Sequence, residues 1–592
     1  MENIFNRIRQ IKNTAKLPSK DEIKKAISTF SKKEKRVFLA LCLILIISTI
    51  TIVGKINKMF LVEVPMSGGT LSEGMVGTPR FVNPILALSD ADRDLTSLIY
   101  SGLMRKSPDG GLIPDLAQEY KISSDGLSYT FILKDKIYFQ DNTKVTVDDV
   151  IFTINKIKDP SVKSPHKNNW DGINIEKIDE KTIKFTLKQP YTLFLENTTL
   201  GILPEHIWKD SPIELNESNI NPIGSGPYLV SKVNKQSSGI INYYNLVQFK
   251  KFILGKPYIQ NITLRFYPNE NDLITALKNG EVDQVSSITP ENANVLKNDN
   301  YRVESSVIPR VFGLFFNQNR NQIFTDKHIK EAIDQAIDKD AIINEVIYGY
   351  GVTIDNPIPS NLIAYQKLNQ DIQSSREESL QKAKNILAKD GWVKGVDGFL
   401  QKTIVDKKKK KTTKNTTILQ FTISTGNAPA LSKAAELITK DLTAIGMKVD
   451  FKTFETGNLN QTVIRPRDYD ALLFGEIINH ESDLFAFWHS SQIKDPGLNV
   501  AMYTNVKVDK ILEEALVTID EKNRIKKYSQ FEDEINKDVP AVFLYSPDFI
   551  YVVSKNLNGL AIDHIATPGD RFQNVYNWSI AKDYIWEIFS KK

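Results

Sequence analysis

The side chains in this sequence that are best suited to catalysis or metal binding are six histidines and one cysteine, Cys42. Histidines spaced as H-x-x-x-H or H-E-x-x-H would hold zinc on one helix face, and paired cysteines would do the same. The histidines show neither spacing and are scattered along the chain: His166, His206, His328, His480, His489 and His564. Their positions therefore indicate no metal site.

Local motifs for nucleophilic or phosphate chemistry are also missing from the sequence. It contains no G-x-S-x-G nucleophile elbow and no Walker A loop. A triad assembled from distant positions would leave no such motif. We nevertheless predict that the chain is not an enzyme, that it needs no cofactor or metal, and that any transport energy comes from partner subunits.

The net charge of +5 is concentrated at the N-terminus. Residues 1–36 contain eleven basic and four acidic side chains, so the remaining 556 residues carry a net charge of −2. Nucleic-acid-binding domains need a basic surface. The near-neutral body therefore argues against a nucleic-acid partner. The single cysteine excludes an intrachain disulfide, which fits the cytosol or a large exported protein.

An apolar run from Val37 to Gly54 has the length and composition of a membrane-spanning helix. Four basic residues precede it closely, whereas two follow, so the positive-inside rule places the N-terminus in the cytoplasm and the body outside. A buried core helix and a cleaved signal peptide are the alternatives. A lipoprotein anchor on Cys42 fits poorly, because Leu41 before it is not small. We predict an uncleaved signal anchor.

The segments on either side of this span are predicted from composition. Residues 1–36 are interpreted as a solvated, partly helical cytoplasmic tail, with an amphipathic helix on anionic lipid as the alternative. Residues 55–68 are interpreted as a tether. The folded body is expected to begin near Gly69.

The stretch from Leu98 to Thr153 carries the clearest structural signals in the body. After the turn signal Asp125-Gly126, apolar residues alternate with polar ones up to Leu133, which predicts a half-buried strand. Thr146 precedes Asp149 by three residues and predicts a capped helix start. Farther along, Ile418–Phe451 is typical of a strand–helix–strand unit, which needs a parallel sheet covered by helices.

Taken as a whole, this stretch resembles the solute-binding proteins of ABC peptide transporters, the extracellular solute-binding family 5. The family run "Y-x-G-L-x-R … P-D-L-A … S-x-D-G-L-x-Y-x-F" is matched from Tyr100 to Phe131, and Asn142 replaces a usual glycine. A second signature, "N-P-[VI]-G-[TS]-G-P-[YF]", is matched by Asn221 to Tyr228. The resemblance extends from about Gly69 to Trp578.

The resemblance implies an α/β type II periplasmic-binding-protein fold, with two hinged lobes and an inserted domain. Lobe I would be discontinuous, and two crossover strands would join it to lobe III. The implied limits are 66–108, 224–313 and 540–588 for lobe I, 109–223 for the inserted domain II, and 314–539 for lobe III.

The resemblance also gives candidate ligand contacts. Peptide-binding members often carry "G-W-x-x-D", whose aspartate pairs with a peptide ammonium group, whereas this chain has Glu476 for the tryptophan and Asn479 for the aspartate. Glu476 could receive an ammonium group or form an internal ion pair. The expected cleft residues are Asn317, Glu476, Asn479, Trp488 and Asn499.

The implied function is that of a membrane-anchored receptor. It would capture oligopeptides or a similar solute outside the cell membrane, in the periplasm or at the cell surface, and deliver them to an ABC permease with its ATPase subunits. Two alternatives stay open. One is a peptide sensor of the same fold, and the other is a surface structural or adhesion protein that uses the lysine block Lys407–Lys411.

Overall fold

The computed structural model describes residues 19–191, 193–359, 362, 375–406 and 413–590. Residues 1–18 of the predicted tail and the Lys407–Lys411 block lie outside these residues. The described chain forms two compact units, one made of residues up to Met66 together with Lys582 onward, and the other made of Ser67–Ala581.

The first unit contains the predicted membrane span. Helix α1 is Lys20–Ser28 and helix α2 is Lys32–Phe60, and Ser19 and Ser31 begin them with capping boxes closed by Glu22 and Glu34. Within the described part of the chain, α2 is the helix long and apolar enough to cross a bilayer by length and composition. It is longer than the apolar run 37–54, because the good helix-forming lysines on both sides continue it.

The segment expected to be a tether is ordered as secondary structure. Helix α2 continues to Phe60 and leads directly into strand β1, Leu61–Met66. Strand β1 pairs with β23, Ala581–Trp586, which is followed by the short helix α18, Glu587–Ser590. Sequence reasoning placed 540–588 in lobe I, whereas the chain from Lys582 onward belongs to the first unit.

The second unit is a mixed α/β body, and its strands and helices follow in chain order. The strands are β2 Thr70–Val76, β3 Met104–Lys106, β4 Leu112–Pro114, β5 Ala117–Ile122, β6 Ser128–Leu133, β7 Asn174–Lys177, β8 Thr182–Thr186, β9 Tyr228–Lys235, β10 Ile241–Gln248, β11 Asn261–Tyr267, β12 Gln284–Ser286, β13 Arg302–Val307, β14 Arg310–Phe316, β15 Gly351–Thr353, β16 Val393–Lys394, β17 Leu400–Asp406, β18 Thr413–Ile418, β19 Gln420–Gly426, β20 Lys448–Phe454, β21 Ala471–Ile477 and β22 Ala541–Val553. The helices are α3 Asp90–Ile99, α4 Val147–Lys158, α5 Lys167–Trp170, α6 Phe194–Asn197, α7 Glu205–Trp208, α8 Glu270–Lys278, α9 Pro290–Asn298, α10 Lys327–Ala336, α11 Lys339–Glu345, α12 Arg376–Lys389, α13 Pro429–Ala444, α14 Thr456–Asn458, α15 Asp483–Trp488, α16 Val506–Val517 and α17 Glu521–Asp538.

One large sheet runs through the body, with its strands in the order β20-β19-β21-β14-β22-β12-β2-β11-β10-β9. Strand β22 has 13 residues, and both β13 and β15 also pair with it. Its first half pairs antiparallel with β14, and its second half pairs with β12 and β13. Strands β14 and β22 therefore join the two parts of the sheet, at the places where the crossovers between lobes I and III were expected.

Four buried apolar clusters fill the body. The largest covers residues of both predicted lobe I and predicted domain II, and a smaller one lies under helices α8 and α9. The other two lie on opposite faces of the sheet around β14 and β21 and take most of their residues from predicted lobe III. The domain limits themselves stay predictions.

The local predictions for the stretch from Leu98 to Thr153 are confirmed. Strand β6 buries Tyr129, Phe131 and Leu133 and exposes more of the residues between them. Thr146 caps α4, and the Asp149 carboxylate accepts a hydrogen bond from the Thr146 backbone N–H. Helix α13 between β19 and β20, with β19 and β20 parallel, forms the strand–helix–strand unit.

A group of charges is fully enclosed in the predicted lobe I. The Arg571 side chain is 0% exposed, and its Nε donates to Glu73 Oε1 at 3.0 Å while Nη1 donates to Asp94 Oδ1 at 3.0 Å. Burial alone would lower the pKa of Arg571, but Asp94 and Glu73 outweigh it and raise that pKa well above its usual value. These contacts tie β2 and α3 to the C-terminal part of the body.

Candidate solute-binding cleft

The candidate cleft lies at the ends of the crossover strands. Strand β21 pairs antiparallel with β14, so Glu476 stands opposite Val311 and Gly475 stands opposite Phe312. Directly opposed residues of an antiparallel pair share a face of the sheet. Glu476 and Val311 therefore point to one face, and Gly475 and Phe312 point to the other.

On the Glu476 face, a carboxyl group is buried without a charge partner. Glu476 is 2% exposed, and its Oε2 has no hydrogen-bond partner among the described residues. Burial raises the pKa of Glu476 well above its usual value. Burial therefore favours the protonated form of the carboxyl group, and the internal ion pair considered from sequence is not seen among the described residues.

Asn479 follows β21 and begins a loop that faces the predicted domain II. Its Oδ1 is buried and without a hydrogen-bond partner in the described part of the chain. The loop is held by Asp483, whose carboxylate accepts the backbone N–H of His480 at 3.0 Å, and by the ion pair between Glu481 and Arg524 at 2.6 Å. The Asn479 side chain is thus presented on a fixed loop.

Asn317 and Asn499 use their amide groups to brace the backbone. Asn317 Nδ2 donates to Arg467 O at 2.9 Å, and its Oδ1 accepts the N–H groups of Asn319 and Arg320. Asn499 is 0% exposed, and its side chain donates to Tyr503 O and accepts from Tyr503 N. A ligand contact by either amide would have to replace such a bond, so these contacts stay predictions.

The five expected residues do not form one cluster. Asn317 directly follows β14 and lies six positions after Val311, the partner of Glu476, which is a distance of about 20 Å in extended chain. Trp488 is 1% exposed and packs in the core against Phe315, Phe531 and Phe543, with its Nε1 unpartnered among the described residues. Its contact with a solute also stays a prediction.

Sequence reasoning missed Arg310, the first residue of β14. Its Nε is buried without a hydrogen-bond partner in the part of the chain that the structure describes. Burial lowers the pKa of Arg310, while Asp90 of α3 and Tyr545 of β22 oppose the decrease. An incompletely satisfied guanidinium at a crossover strand is suited to binding a carboxylate. The only sequence signal was an arginine directly before an apolar strand.

An aromatic pair lies beside Arg310 on the opposite face from Glu476. The rings of Phe312 and Tyr545 are stacked, with centroids 4.7 Å apart and planes at 7°. A Cβ at Gly475 would lie 2.7 Å from two atoms of the Phe312 ring, so only glycine leaves room for the stack. The sequence signal was Gly475 itself, in the middle of an otherwise apolar strand.

The cleft is bridged by contacts between the predicted domain II and the predicted lobe III. His480 Nδ1 forms a close contact with a carboxylate oxygen of Glu196 in α6. Tyr191 shares a hydrogen bond with Ser482. A side chain at Gly126 would collide with Ile519. Sequence offered no signal for these pairs, because each is brought together only by the fold.

Comparison with known proteins identifies the family of this chain. The sequence profile of the bacterial extracellular solute-binding proteins, family 5, matches residues 111–495. The chain belongs to this family. The predicted resemblance and fold class are therefore confirmed: the body has the fold of the periplasmic solute-binding proteins.

Individual members of family 5 are similar over nearly their whole length. The oligopeptide-binding protein AppA of Bacillus subtilis is 28% identical over 528 residues, which are 88% of this chain and 93% of that protein. Its structure in complex with a nonapeptide covers 88% of this chain and 100% of that one, with a TM-score of 0.63. NikZ of Campylobacter jejuni in complex with Ni(L-His) is 28% identical, covers 86% of this chain and 99% of its own, and has a TM-score of 0.66.

Proposed function

We propose that this family 5 protein is a membrane-anchored receptor that captures oligopeptides, or a similar small solute, and delivers them to an ABC permease with its ATPase subunits. AppA in complex with a nonapeptide and NikZ in complex with Ni(L-His) support this choice of solutes. The capture step would close lobe III on lobe I and domain II around the solute.

The observation that carries this proposal is the arrangement at the crossover strands. Arg310, Glu476 and Asn479 lie at neighbouring ends of β14 and β21, and each has a buried polar atom without a partner in the described chain. Buried polar groups are normally satisfied. A solute carboxylate would satisfy Arg310, which shares the face of Phe312, and a solute amide would satisfy Asn479 in the loop after β21. Glu476 points to the opposite face of the sheet, so the same solute would not reach it.

The anchor supports a location at the outer face of the membrane. Helix α2 has no buried residue along its length. Four basic residues, between positions 32 and 36, stand just before its apolar part. Under the positive-inside rule the N-terminus is cytoplasmic and the body is extracytoplasmic. A receptor held in this way would stay close to a permease in the same membrane.

Native mass spectrometry of the full chain, purified in detergent without denaturation, tests the capture step. We expect a mass increment that matches a mixture of peptides or another small solute, and calorimetry should then register saturable binding. Arg310→Gln should weaken this binding, while the exposed Arg320→Gln serves as the matched control. An unoccupied protein that gives no heat with broad peptide and metal–amino-acid panels would contradict the proposal.

Delivery needs a separate test in cells. Deleting the protein should abolish uptake of the solute that the mass measurement identifies, and the full chain should restore it. Uptake that continues normally, together with a changed transcriptional response to the solute, would favour the sensor over the transport receptor. The capture test would still stand in that case.

A further inference from the structure

The outer end of α2 carries a set of exposed aromatic and apolar side chains. Phe60 at its last position is 46% exposed, and on the paired C-terminal segment Tyr584 is 59% and Trp586 45% exposed. The same segment also exposes Ile588 at 73% and Phe589 at 70%. We call this set, residues 60, 584, 586, 588 and 589, the aromatic collar.

The collar is built by strand pairing and not by a loose terminus. Lys582 pairs with Glu63 at 2.5 Å, and Trp586 Nε1 donates to Asn57 Oδ1 at 2.8 Å. The Trp586 ring also packs against Phe60, with centroids 6.1 Å apart. Glu63 of β1 contacts Lys582, whereas the earlier residues Asn57 and Phe60 contact the later residue Trp586. The C-terminal segment therefore runs back toward the end of α2.

Alternation along β23 gives its two faces different chemistry. Lys582, Tyr584 and Trp586 are two residues apart and therefore share a face. Asp583 lies on the opposite face and is exposed. One face of the strand thus carries the lysine and both aromatic rings, and the other carries Ala581, Asp583 and Ile585.

The position of the collar along α2 fits the polar layer of a bilayer. The apolar run 37–54 has its midpoint between residues 45 and 46. A bilayer is about 40–45 Å thick including its headgroups, so each half spans about 14 helical residues. Counted from that midpoint, the outer half ends at about residue 60. Asn57 and Phe60 fall at this level, and so does Trp586 beside them.

We propose that the aromatic collar docks into the headgroup layer of the membrane and holds the C-terminus at the bilayer surface. Tryptophan and tyrosine are enriched at this depth, because the ring body is apolar and its N–H or O–H stays hydrated. Lys55 and Lys58 are exposed nearby and match anionic phosphates. This inference rests on the anchoring part of the proposed function, and it adds a second membrane contact to the helix.

A fluorescence measurement on the full chain in vesicles of phosphatidylethanolamine and phosphatidylglycerol tests the docking. In a Cys42→Ser background, an environment-sensitive dye is attached through Tyr584→Cys or, separately, Phe589→Cys. Asp583→Cys on the opposite face of the same strand is the matched control. We expect a blue-shifted emission at 584 and 589, with strong quenching by nitroxide-labelled lipid and weak quenching by aqueous iodide, and the reverse at 583.

Flotation of the same labelled samples separates this proposal from the anchor on which it rests. If the chain floats with the vesicles but the dyes at 584 and 589 are quenched by iodide as freely as at 583, the collar proposal fails and the anchor stands. If the dyes are shielded from both quenchers, another protein surface covers the collar and the lipid assignment fails. If the chain does not float, the anchor and the collar fall together.

Discussion

His480 and Glu196 form a close contact that links the loop after β21 to helix α6. The two residues belong to the predicted lobe III and domain II, so opening the cleft must separate them. Burial alone would lower the pKa of His480, but Glu196 beside it, with Asp483 adding to the effect and Lys106 opposing it, raises this pKa above its usual value. The protonated imidazolium is therefore the form that holds the contact.

We expect solute affinity to fall as the pH rises. A raised histidine pKa gives a contribution that is complete below the ordinary value of 6.5 and is lost as the pH rises through the raised value. The pair is partly exposed, so its contribution is about 0.2–1 kcal/mol, or at most about fivefold in Kd. Calorimetric Kd values from pH 5.5 to 8.5 should show this trend, and His480→Gln should flatten it.

The exposed His328→Gln is the control for that titration, since His328 lies in α10 and pairs only with acidic residues of its own lobe among the described residues. Glu196→Gln should flatten the profile as His480→Gln does. A pH profile that keeps its slope in both cleft variants would show that another group is responsible.

The raised pKa of Glu476 predicts a different pH dependence, that of the free energy of unfolding. The folded protein keeps the proton of Glu476 after the unfolded chain has lost it, so stability falls as the pH rises above the ordinary value of 4.5. The slope is about 1.4 kcal/mol per pH unit until the raised pKa is reached. Glu476→Gln should remove this part of the slope in urea titrations of the full chain.

The matched control for Glu476 is Glu214→Gln, because Glu214 is exposed and should leave the slope unchanged. At pH 7, Glu476→Gln should be at least as stable as the unmodified chain, since an amide does not have to be protonated on folding. A loss of several kcal/mol at that pH would mean that the carboxylate is charged and paired.

Removing the buried charge of Arg571 should destabilise the body strongly. Arg571→Met leaves Glu73 and Asp94 enclosed without their shared guanidinium, which costs about 3–5 kcal/mol in comparable buried pairs. The measurement is the urea midpoint of the full chain at pH 7. Arg320→Met, whose pair with Asp468 is about 60% exposed on both sides, should change stability by less than about 1 kcal/mol.

The Phe312–Tyr545 stack predicts that Gly475 tolerates no side chain. Gly475→Ala should displace the Phe312 ring and cost about 1–3 kcal/mol of unfolding free energy. Combining it with Phe312→Ala should give less destabilisation than the sum of the two single changes, because the clash is gone. Gly457→Ala, where a Cβ meets nothing within 4 Å, is the control and should be nearly neutral. Full additivity would contradict this account.

Much of the body was predictable because its signals are local. The alternation up to Leu133 and the pairing of Thr146 with Asp149 define a strand and a helix start within a few residues. The family motifs then gave the fold. The first unit was less predictable. Strands β1 and β23 are separated by most of the chain, and neither strand's sequence indicates which strand it pairs with.

The cleft was harder to predict for a physical reason. Asn317 and Asn499 have the side chains that a polar cleft needs, but their hydrogen bonds go to the backbones of Arg467 and Tyr503. A single sequence gives the residue type, but it does not show which group will donate to or accept from that side chain. His480 and Glu196 were missed for the same reason, because only the folded chain brings them together.

The distance along the chain between Arg571 and its two carboxylates sets the order in which lobe I can be completed. Glu73 is 498 residues and Asp94 is 477 residues away from it. Both acids emerge early in synthesis, and the guanidinium that neutralises them emerges only when the chain is nearly finished. In a truncated or stalled product, these two carboxylates have no guanidinium partner and are more stable in water than in the protein interior. We therefore expect strand β2 and helix α3 to reach their final packing only after the last segment has been synthesised.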